Sequence, residues 1–497
     1  MQRLWGLVTI QATVAAASLI VEIVAGRMLA PYVGMSLYTW TSVIAVVLAG
    51  FSVGHWAGGR MAEWSPEAAL KGNGWAMLGA AASTAAAVFI LRGVAGTVIP
   101  ALQSPVASIV VLTSLVFFLP SFFAGIPAPI LSMIAVLRHP ERKGRALGAM
   151  FAAGAWGAIL GTLAAGFVFI SWLGSVGTLA VVAAVYAVLG LMSLASASGL
   201  RGIVAGAAAA LVPFGLVLGG LSLPNPCTVE SDYFCIRVID EGTTQAPVRL
   251  MVLDHLVHGA ADGLDPTAML TPHGVMLEGL PRLRMEGREG WSAFLIGGGT
   301  YTVPRAWHAR GTPVAVTVAE VDPAVTRAAI DYFWYDPGED RIIHADARRT
   351  LAWEPAAYDV IIGDAFGDIA VPQHLITREF FALVDARLNP GGVYLMNVID
   401  HMDRLDVLAS IVTTARAVWP SVEVWADPAH DASENRRVFV LVAGDAPSPR
   451  SQIGGPDGAA VRIAASSLQA ILDGRTPVTF TDDFAPIDRL LSDRGEG

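Results

Sequence analysis

The pattern of hydrophobic and polar positions divides the chain into two parts. Residues 1–223 are nearly free of charge, and apolar stretches of membrane-spanning length recur along them. We place these stretches at about 5–26, 38–57, 74–91, 105–137, 146–171, 176–197 and 201–223. The fourth is too long for one straight helix, and we expect Pro120, Pro127 and Pro129 to kink or divide it. The pattern therefore predicts an α-helical transmembrane bundle of about seven spans.

The second part has the alternating pattern of an α/β domain. Residues 291–446 contain seven short apolar runs, and helical patterns separate the first six. The runs are Ala293–Ile296, Val314–Ala319, Arg341–His344, Tyr358–Gly363, Gly392–Asn397, Val422–Trp425 and Val438–Ala443. This alternation predicts a mostly parallel, doubly wound sheet, that is, a Rossmann-like α/β domain of the seven-stranded methyltransferase type.

Two smaller regions flank this domain. In residues 224–290, the segments YFCIRVID and VRLMVLDHLVHG alternate apolar and polar positions around a Gly-Thr-Thr turn. They predict a small β-hairpin subdomain, followed by a connector that could fold over a pocket as a lid. Residues 447–497 show a Pro/Gly-rich linker and one helical stretch, and we assign them no chemistry.

Lysine and arginine positions predict the orientation in the membrane. The loop at 138–145, RHPERKGR, carries four of these residues and should be cytoplasmic, as should the turn at Arg201. One further span, 201–223, would then place the rest of the chain outside. Cys227 and Cys235 agree with this, because they could pair in an oxidising space, although two free thiols are the alternative. We expect a multi-pass protein of a bacterial inner membrane, in contact with the lipid bilayer.

Two ionisable side chains lie inside or near the predicted spans. Glu22 is a functional candidate because burying an acid in lipid is costly, but a structural pairing with Arg27 is the alternative. His55 lies close enough to the interface to be solvated. Elsewhere, the net charge of −10 gives no support for nucleic-acid binding, and the cysteines and histidines form no metal-binding pattern.

A glycine turn and an acidic strand end indicate a nucleoside site. Gly297, Gly298 and Gly299 follow the first strand directly, where the backbone can come close to a ligand. Glu320 and Asp322 end the second strand, about 20 residues later, which suits two ribose hydroxyls. The last glycine of a dinucleotide fingerprint is replaced by a threonine at 302, so we expect a nucleoside without phosphates there.

The next two strands each deliver an acid to the same edge of the sheet. Asp346 follows the third strand and could accept a hydrogen bond from an adenine amino group, and Ala347 after it leaves room for a flat ring. Asp364 ends the fourth strand, where a carboxylate could bind a cation or take a proton from an attacking amine. Each acid taken alone could instead be a helix N-cap. Four consecutive strands with such ends are more specific than any one motif.

The whole chain resembles the membrane-fused spermidine synthase-like proteins, in which a helical bundle precedes an aminopropyltransferase-like domain. In the first half the resemblance rests on EIVAGRMLAPYVG from Glu22, GHWAGGRMAE and LPSFFAGIPAPIL, and the bundle is similar to half of a major-facilitator transporter. In the second half it rests on LDHLVHG, IGGG, AEVDPAV, HADAR, YDVIIGDAFGD, VPQHLITREFF and LNPGGVYLMNV.

The resemblance implies a co-substrate, S-adenosylmethionine or its decarboxylated form, and a small-molecule amine acceptor. It implies that Glu320 holds the ribose, that Asp346 contacts adenine, and that Asp364 is the base on the acceptor amine. His258, at a position usually held by glutamine, Asp368, displaced by one residue, and His374 are implied on the acceptor side. A homodimer is also implied, although the membrane bundle could replace or block that contact.

Two departures from the family pattern leave the reaction open. Aminopropyltransferases carry an acid directly after the three glycines, where this chain has Thr300, so intact S-adenosylmethionine could be tolerated. The lid tyrosine is also absent, with Thr271, Pro272 and His273 near its place. Methyl transfer or lyase chemistry on intact S-adenosylmethionine is therefore a second hypothesis. A non-catalytic transporter or sensor is a third, because a domain outside the cell conflicts with a cytoplasmic co-substrate.

Overall fold

The computed structural model of the protein describes residues 4–102, 104–366, 371–431, 434–455 and 458–491. The chain forms two compact units, Met1–Pro226 and Cys227–Gly497. The finer division predicted from the sequence, into 1–223, 224–290, 291–446 and 447–497, stays a prediction.

The first unit is built from helices. Five helical runs among the described residues are long and apolar enough to cross a membrane, at Leu4–Val33, Leu37–Ala62, Pro66–Ala101, Pro105–Arg138 and Pro140–Ser222. The separate helices are α1 (Leu4–Val33), α2 (Leu37–Ala62), α3 (Pro66–Ala101), α4 (Pro105–Gly125), α5 (Pro127–Arg138), α6 (Lys143–Ala164) and α7 (Ile170–Ser222). A 3₁₀ turn at Pro140–Arg142 precedes α6, and a π-helical turn at Ala165–Phe169 joins it to α7.

The predicted number of seven spans stays a prediction, because the last run contains three of the predicted segments. Its backbone is non-helical at Gly174 and Gly199, which lie in the gaps between those segments. The division expected in the fourth segment lies at Ile126, since α4 ends at Gly125 and α5 begins at Pro127. Glu22 is half-buried on α1, and His55 is exposed on α2.

Helices α1 and α6 approach each other closely through glycine. A Cβ atom on Gly157 would collide with the carbonyl oxygen of Ala12, and one on Gly161 would collide with that of Ala16. The two backbones can touch only because these positions have no side chain. The pairing also shows that α1 and α6 run parallel, since both residue numbers increase together.

The second unit begins with a small antiparallel sheet in place of the single predicted hairpin. Its strands, in spatial order, are β1 (Val229–Glu230), β2 (Cys235–Asp240), β3 (Val248–Leu253) and β4 (Leu256–Asp262). The segment VRLMVLDHLVHG forms two strands because the chain turns at Asp254, whose φ is 55°. A disulfide joins Cys227 to Cys235 next to this sheet. Part of the predicted connector is helical, as α8 (Pro272–Arg284).

A larger, nine-stranded mixed sheet carries the rest of the unit. Its strands are β5 (Trp291–Ile296), β6 (Val314–Ala319), β7 (Arg341–Ile343), β8 (Tyr358–Gly363), β9 (Leu388–His401), β10 (Ser421–Ala426), β11 (Arg436–Gly444), β12 (Gln452–Gly455) and β13 (Gly458–Arg462). The helices are α9 (Thr302–Ala309), α10 (Pro323–Tyr332), α11 (Ala347–Trp353), α12 (Arg378–Asp385), α13 (Asp406–Arg416), α14 (Ala465–Asp473) and α15 (Ile487–Leu491).

The strand order confirms a methyltransferase-like sheet. The order is β12-β13-β10-β11-β9-β8-β5-β6-β7, and β11 runs antiparallel to both of its neighbours. All seven predicted strands are present, but the prediction of seven was incomplete. The hairpin β12–β13 adds two strands beside β10, in the region predicted as linker and helix. These strands are short and glycine-containing, so they show no clear alternation in the sequence. Apolar side chains are buried on both faces of the sheet.

Candidate functional site

A cavity of about 780 Å³ lies at the carboxyl ends of β5, β6 and β8. Parallel strands bring their carboxyl ends to one edge of a sheet, which is where ligands bind in folds of this kind. The polar or glycine residues on its wall come from both sheets of the unit. They are Tyr233, His255, His258, His273, Gly297, Gly299, Glu320, Asp346, Asp364, His374, Asn397, Glu434 and Arg436.

The glycine turn and Glu320 form one hydrogen-bonded unit. Gly297 has a φ of 90°, and a Cβ atom there would lie 2.7 Å from the carbonyl oxygen of Asp364, so only glycine fits. Glu320 Oε2 accepts from the backbone N–H of Gly298 at 2.8 Å, and Oε1 accepts from that of Asp322 at 2.9 Å. Burial raises the pKa of Glu320, and these backbone bonds act in the opposite direction. The carboxylate is therefore held in one orientation at the cavity wall.

Asp322 was predicted to contact the ribose together with Glu320, but the structure places it away from the cavity. It is buried, and Oδ1 accepts from the backbone N–H of Ala324 at 2.9 Å, which caps α10. Oδ2 accepts from the hydroxyl of Ser231, in the loop closed by the disulfide. In the part of the chain that the structure describes, Asp322 does not line the cavity. Asp322 is thus a helix N-cap, which was the alternative considered for each acid in the sequence.

Asp346 and His374 lie together on the cavity wall. Asp346 Oδ1 accepts from the backbone N–H of Arg349 at 2.8 Å and caps α11, while Oδ2 lies 2.8 Å from His374 Nε2. Both side chains are partly exposed, at 40% for Asp346 and 48% for His374. His374 was predicted on the acceptor side, but the structure places it against Asp346, the residue predicted to contact adenine. Ala347 also lines the cavity there.

Asp364 is oriented by a buried amide that the sequence did not single out. Asn397 Nδ2 donates to Asp364 Oδ1 at 2.9 Å, and Asn397 is only 3% exposed at the cavity wall. Among the described residues no group donates to Asn397 Oδ1. That oxygen is itself buried from solvent. The signal in the sequence that could have indicated Asn397 was its position as a polar residue directly after the apolar run VYLM in β9.

The wall beyond Asp364 is rich in imidazole. Burial lowers the pKa of His258 to about 4; nearby Asp364 raises it, and His273, His255 and Arg436 lower it further. Burial also lowers the pKa of His255, with Arg436 and Arg237 acting in the same direction. Both imidazoles are therefore neutral near pH 7. His255 lies in the segment LDHLVHG, but of its two histidines the sequence analysis singled out only His258; Arg436 was missed because no quoted motif contains it. Asp368 lies outside the described residues.

Thr300 faces an adjoining smaller cavity of about 50 Å³, together with His258, His273 and Asp364. It is 6% exposed, and its hydroxyl lies 2.5 Å from that of Thr302. The position after the glycines thus presents no charge to the site. Among the described residues, no group of three or more His, Cys, Asp or Glu side chains could hold a metal ion.

Curated relatives match the C-terminal part of the chain. The chain is 36% identical over 107 residues to a probable polyamine aminopropyl transferase of Bifidobacterium longum, covering 22% of this chain and 24% of that protein. It is 33% identical over 107 residues to a polyamine aminopropyltransferase of Vibrio vulnificus, covering 21% and 36%. A spermidine synthase of Dictyostelium discoideum is 25% identical over 134 residues, covering 26% and 47%. The C-terminal part is spermidine synthase-like.

These relatives are transferases by name, and the chain spans between about a quarter and a half of their length. No protein-family model matches the chain. A solved structure of a probable spermidine synthase from Corynebacterium glutamicum has a TM-score of 0.44 at 23% identity, covering 51% of this chain and 96% of that one. A spermidine synthase in complex with the transition state analogue AdoDATO has a TM-score of 0.32 at 22% identity, covering 43% and 75%. The fold of the spermidine synthase-like part is therefore assigned from the strand order of its sheet.

Proposed function

We propose that the protein is a membrane-bound aminopropyltransferase-like enzyme. It transfers the three-carbon arm of an S-adenosylmethionine-type donor, in the decarboxylated or the intact form, to a small-molecule amine. Asp364 supports this most directly, because it lines the same cavity as Glu320 and Asp346, the predicted nucleoside contacts, and as the histidines His255, His258 and His273. The named relatives are consistent with the same chemistry.

Each of the chain's own residues has a defined role in this proposal. Glu320, fixed by two backbone bonds, accepts from the ribose hydroxyls, and Asp346 accepts from the adenine amino group. The acceptor nitrogen attacks the carbon next to the sulfonium, the carbon–sulfur bond breaks, and methylthioadenosine leaves. The proton lost from the nitrogen passes to Asp364, which Asn397 holds in orientation.

The uncharged hydroxyl of Thr300 supports a second candidate function. A carboxylate at this position would favour a donor that has an amine and no carboxylate, and a hydroxyl does not impose that preference. Methyl transfer or lyase chemistry on intact S-adenosylmethionine is therefore retained as the alternative. The nucleoside product separates the two transfer reactions, since methylthioadenosine marks loss of the three-carbon arm and adenosylhomocysteine marks loss of the methyl group.

Removal of the proposed base tests the function. We expect Asp364→Asn to lower turnover at least about 100-fold, because a positioned base contributes on that order, while the donor Kd changes less than about threefold. Asp331→Asn removes the same charge from an exposed site on α10 and should leave turnover unchanged. Turnover is measured as methylthioadenosine released by the detergent-purified full chain from decarboxylated donor and a mixture of di- and polyamines. Equal turnover of Asp364→Asn and the unmodified protein would contradict the assignment.

We also propose that the second unit lies on the outer side of the membrane. The five apolar helical runs are consistent with a membrane protein, and the Cys227–Cys235 disulfide supports a position of the second unit in an oxidising space. A reporter enzyme fused after the last residue tests this. A reporter that is active only in the cytoplasm would contradict the outside location and would remove the conflict with a cytoplasmic donor. The homodimer stays a prediction.

A further inference from the structure

A groove of about 880 Å³ runs between α1 and α6 in the first unit. Its floor is formed by small residues, including Ala12, Ala16, Ala153 and Gly157, where the two backbones approach each other. Its rim carries the large side chains of Trp5 and Trp156, which are 79% and 65% exposed. The groove is therefore open along its length and apolar in its depth.

One end of the groove is basic. His139, Arg142 and Arg145 line it, and they lie at or just before the N-terminal end of α6. Because α6 runs parallel to α1, this is also the end at which α1 begins. Among the described residues, neither Arg142 nor Arg145 makes an ion pair, and no carboxylate lines the groove. A negative charge at this end would thus be attracted without a competing protein partner on the wall.

The rest of the groove is effectively apolar and has a defined length. Thr9 and Thr13 line it, but their hydroxyls donate to the carbonyl oxygens of Trp5 and Thr9 within α1. From Leu4 to Ala16 the lining of α1 rises about 18 Å, at 1.5 Å per residue. That is close to one leaflet, about half of a hydrocarbon core of roughly 30 Å.

We propose that this groove binds one anionic phospholipid. The phosphate lies against Arg142 and Arg145, and one acyl chain lies between α1 and α6. Basic pockets beside membrane helices recognise anionic headgroups, and the indole ring of Trp5, at the start of α1, suits the interface. The lipid comes from the leaflet next to the 138–145 loop. This inference rests on insertion in a membrane and is independent of the proposed transferase reaction.

Native mass spectrometry of the detergent-purified full chain tests the site. We expect one phosphatidylglycerol to be retained per chain, with phosphatidylcholine of the same acyl chains bound at least about tenfold more weakly. The double variant Arg142→Gln with Arg145→Gln should lose at least about tenfold in phosphatidylglycerol affinity. The matched control, Arg138→Gln with Lys143→Gln, removes two charges from the same loop outside the groove and should lose less than about twofold.

A second pair of variants tests the apolar part. Ala149→Trp fills the groove and should prevent retention, whereas Ala155→Trp adds the same ring to an exposed position of α6 outside the groove and should not. Free glycerol phosphate, which has the headgroup charge without acyl chains, should not compete. Equal retention of both lipids, equal losses in the paired variants, or competition by glycerol phosphate would each overturn the proposal. Donor binding measured on the same samples should be unaffected, so failure of this site leaves the proposed function standing.

Discussion

The two ends of the cavity in the second unit are built in different ways. At the proposed nucleoside end, Gly298 and Glu320 follow consecutive parallel strands, and backbone N–H groups hold the carboxylate in place. At the proposed acceptor end, His255 and His258 come from the small antiparallel sheet, Asn397 from β9 and Arg436 from β11. The first end is fixed by local backbone geometry, and the second by side chains that meet only in the folded molecule.

The difference has a chemical consequence. A site held by the backbone of the sheet changes little when surface residues are exchanged, so the nucleoside end can stay constant while the acceptor end varies. The two ends also differ in charge. Glu320 and Asp346 line the proposed nucleoside end, whereas the proposed acceptor end combines neutral imidazoles with Arg436 and the carboxylates of Asp364 and Glu434. The identity of the amine is therefore expected to depend on the elements outside the parallel strands.

After the loss of turnover in Asp364→Asn, the largest expected effect is on the proposed nucleoside end. In Glu320→Gln one of the two buried backbone donors, at Gly298 or Asp322, loses its acceptor, because an amide has a single acceptor oxygen. We expect the Kd for methylthioadenosine to rise about 30-fold, equivalent to about 2 kcal/mol. Isothermal titration calorimetry measures this change.

Asp322→Asn is the comparison within the same loop. Asn caps a helix about as well as Asp does, so the change acts mainly through the lost charged acceptor for the Ser231 hydroxyl. It should lower stability by about 1 kcal/mol and alter the Kd less than about threefold. A large loss of affinity in Asp322→Asn would restore it as a donor contact. Unchanged affinity in Glu320→Gln would remove Glu320 from the nucleoside site.

The sequence was informative where one element determines the outcome. The seven predicted strands are present, and the glycine turn, Glu320 and Asp364 lie at the carboxyl ends of the strands, as expected. Apolar runs and the residues that end them are local signals in the sequence. It failed where contacts are long-range. Asn397 meets Asp364 only after β8 and β9 pair, and His374 meets Asp346 across a loop. The strands β12 and β13 were missed because they are stabilised by pairing with β10 rather than by their own pattern.

An effect of similar free energy concerns pH and the proposed acceptor end. The pKa of His258 is about 4 in the folded protein and about 6.5 when unfolded, so the unfolded state binds more protons between these values. The stability that comes from neutral His258 is present above pH 6.5 and is lost as the pH falls towards 4. At pH 5 the loss is about 2 kcal/mol, which corresponds to a fall in Tm of about 4 °C.

His258→Gln isolates this contribution, because glutamine does not titrate. Between pH 7 and 5 the Tm of the variant should fall about 4 °C less than that of the unmodified protein, and between pH 7 and 8 the two should change in parallel. Differential scanning fluorimetry of the full chain in detergent gives both values. Identical falls in Tm between pH 7 and 5 would show that His258 is solvated and would weaken the contrast between the two ends.

The smallest expected effect lies at Thr300, in the adjoining smaller cavity. Thr300→Asp places a carboxylate after the three glycines, which attracts the donor's amine and repels the carboxylate of intact S-adenosylmethionine. We expect the ratio of the two Kd values to shift about tenfold towards the decarboxylated donor, equivalent to about 1.4 kcal/mol. Thr300→Asn has nearly the same shape as the aspartate variant without its charge, and it should leave the ratio unchanged. An equal shift in both variants would mean that shape, and not charge, selects the donor at this position.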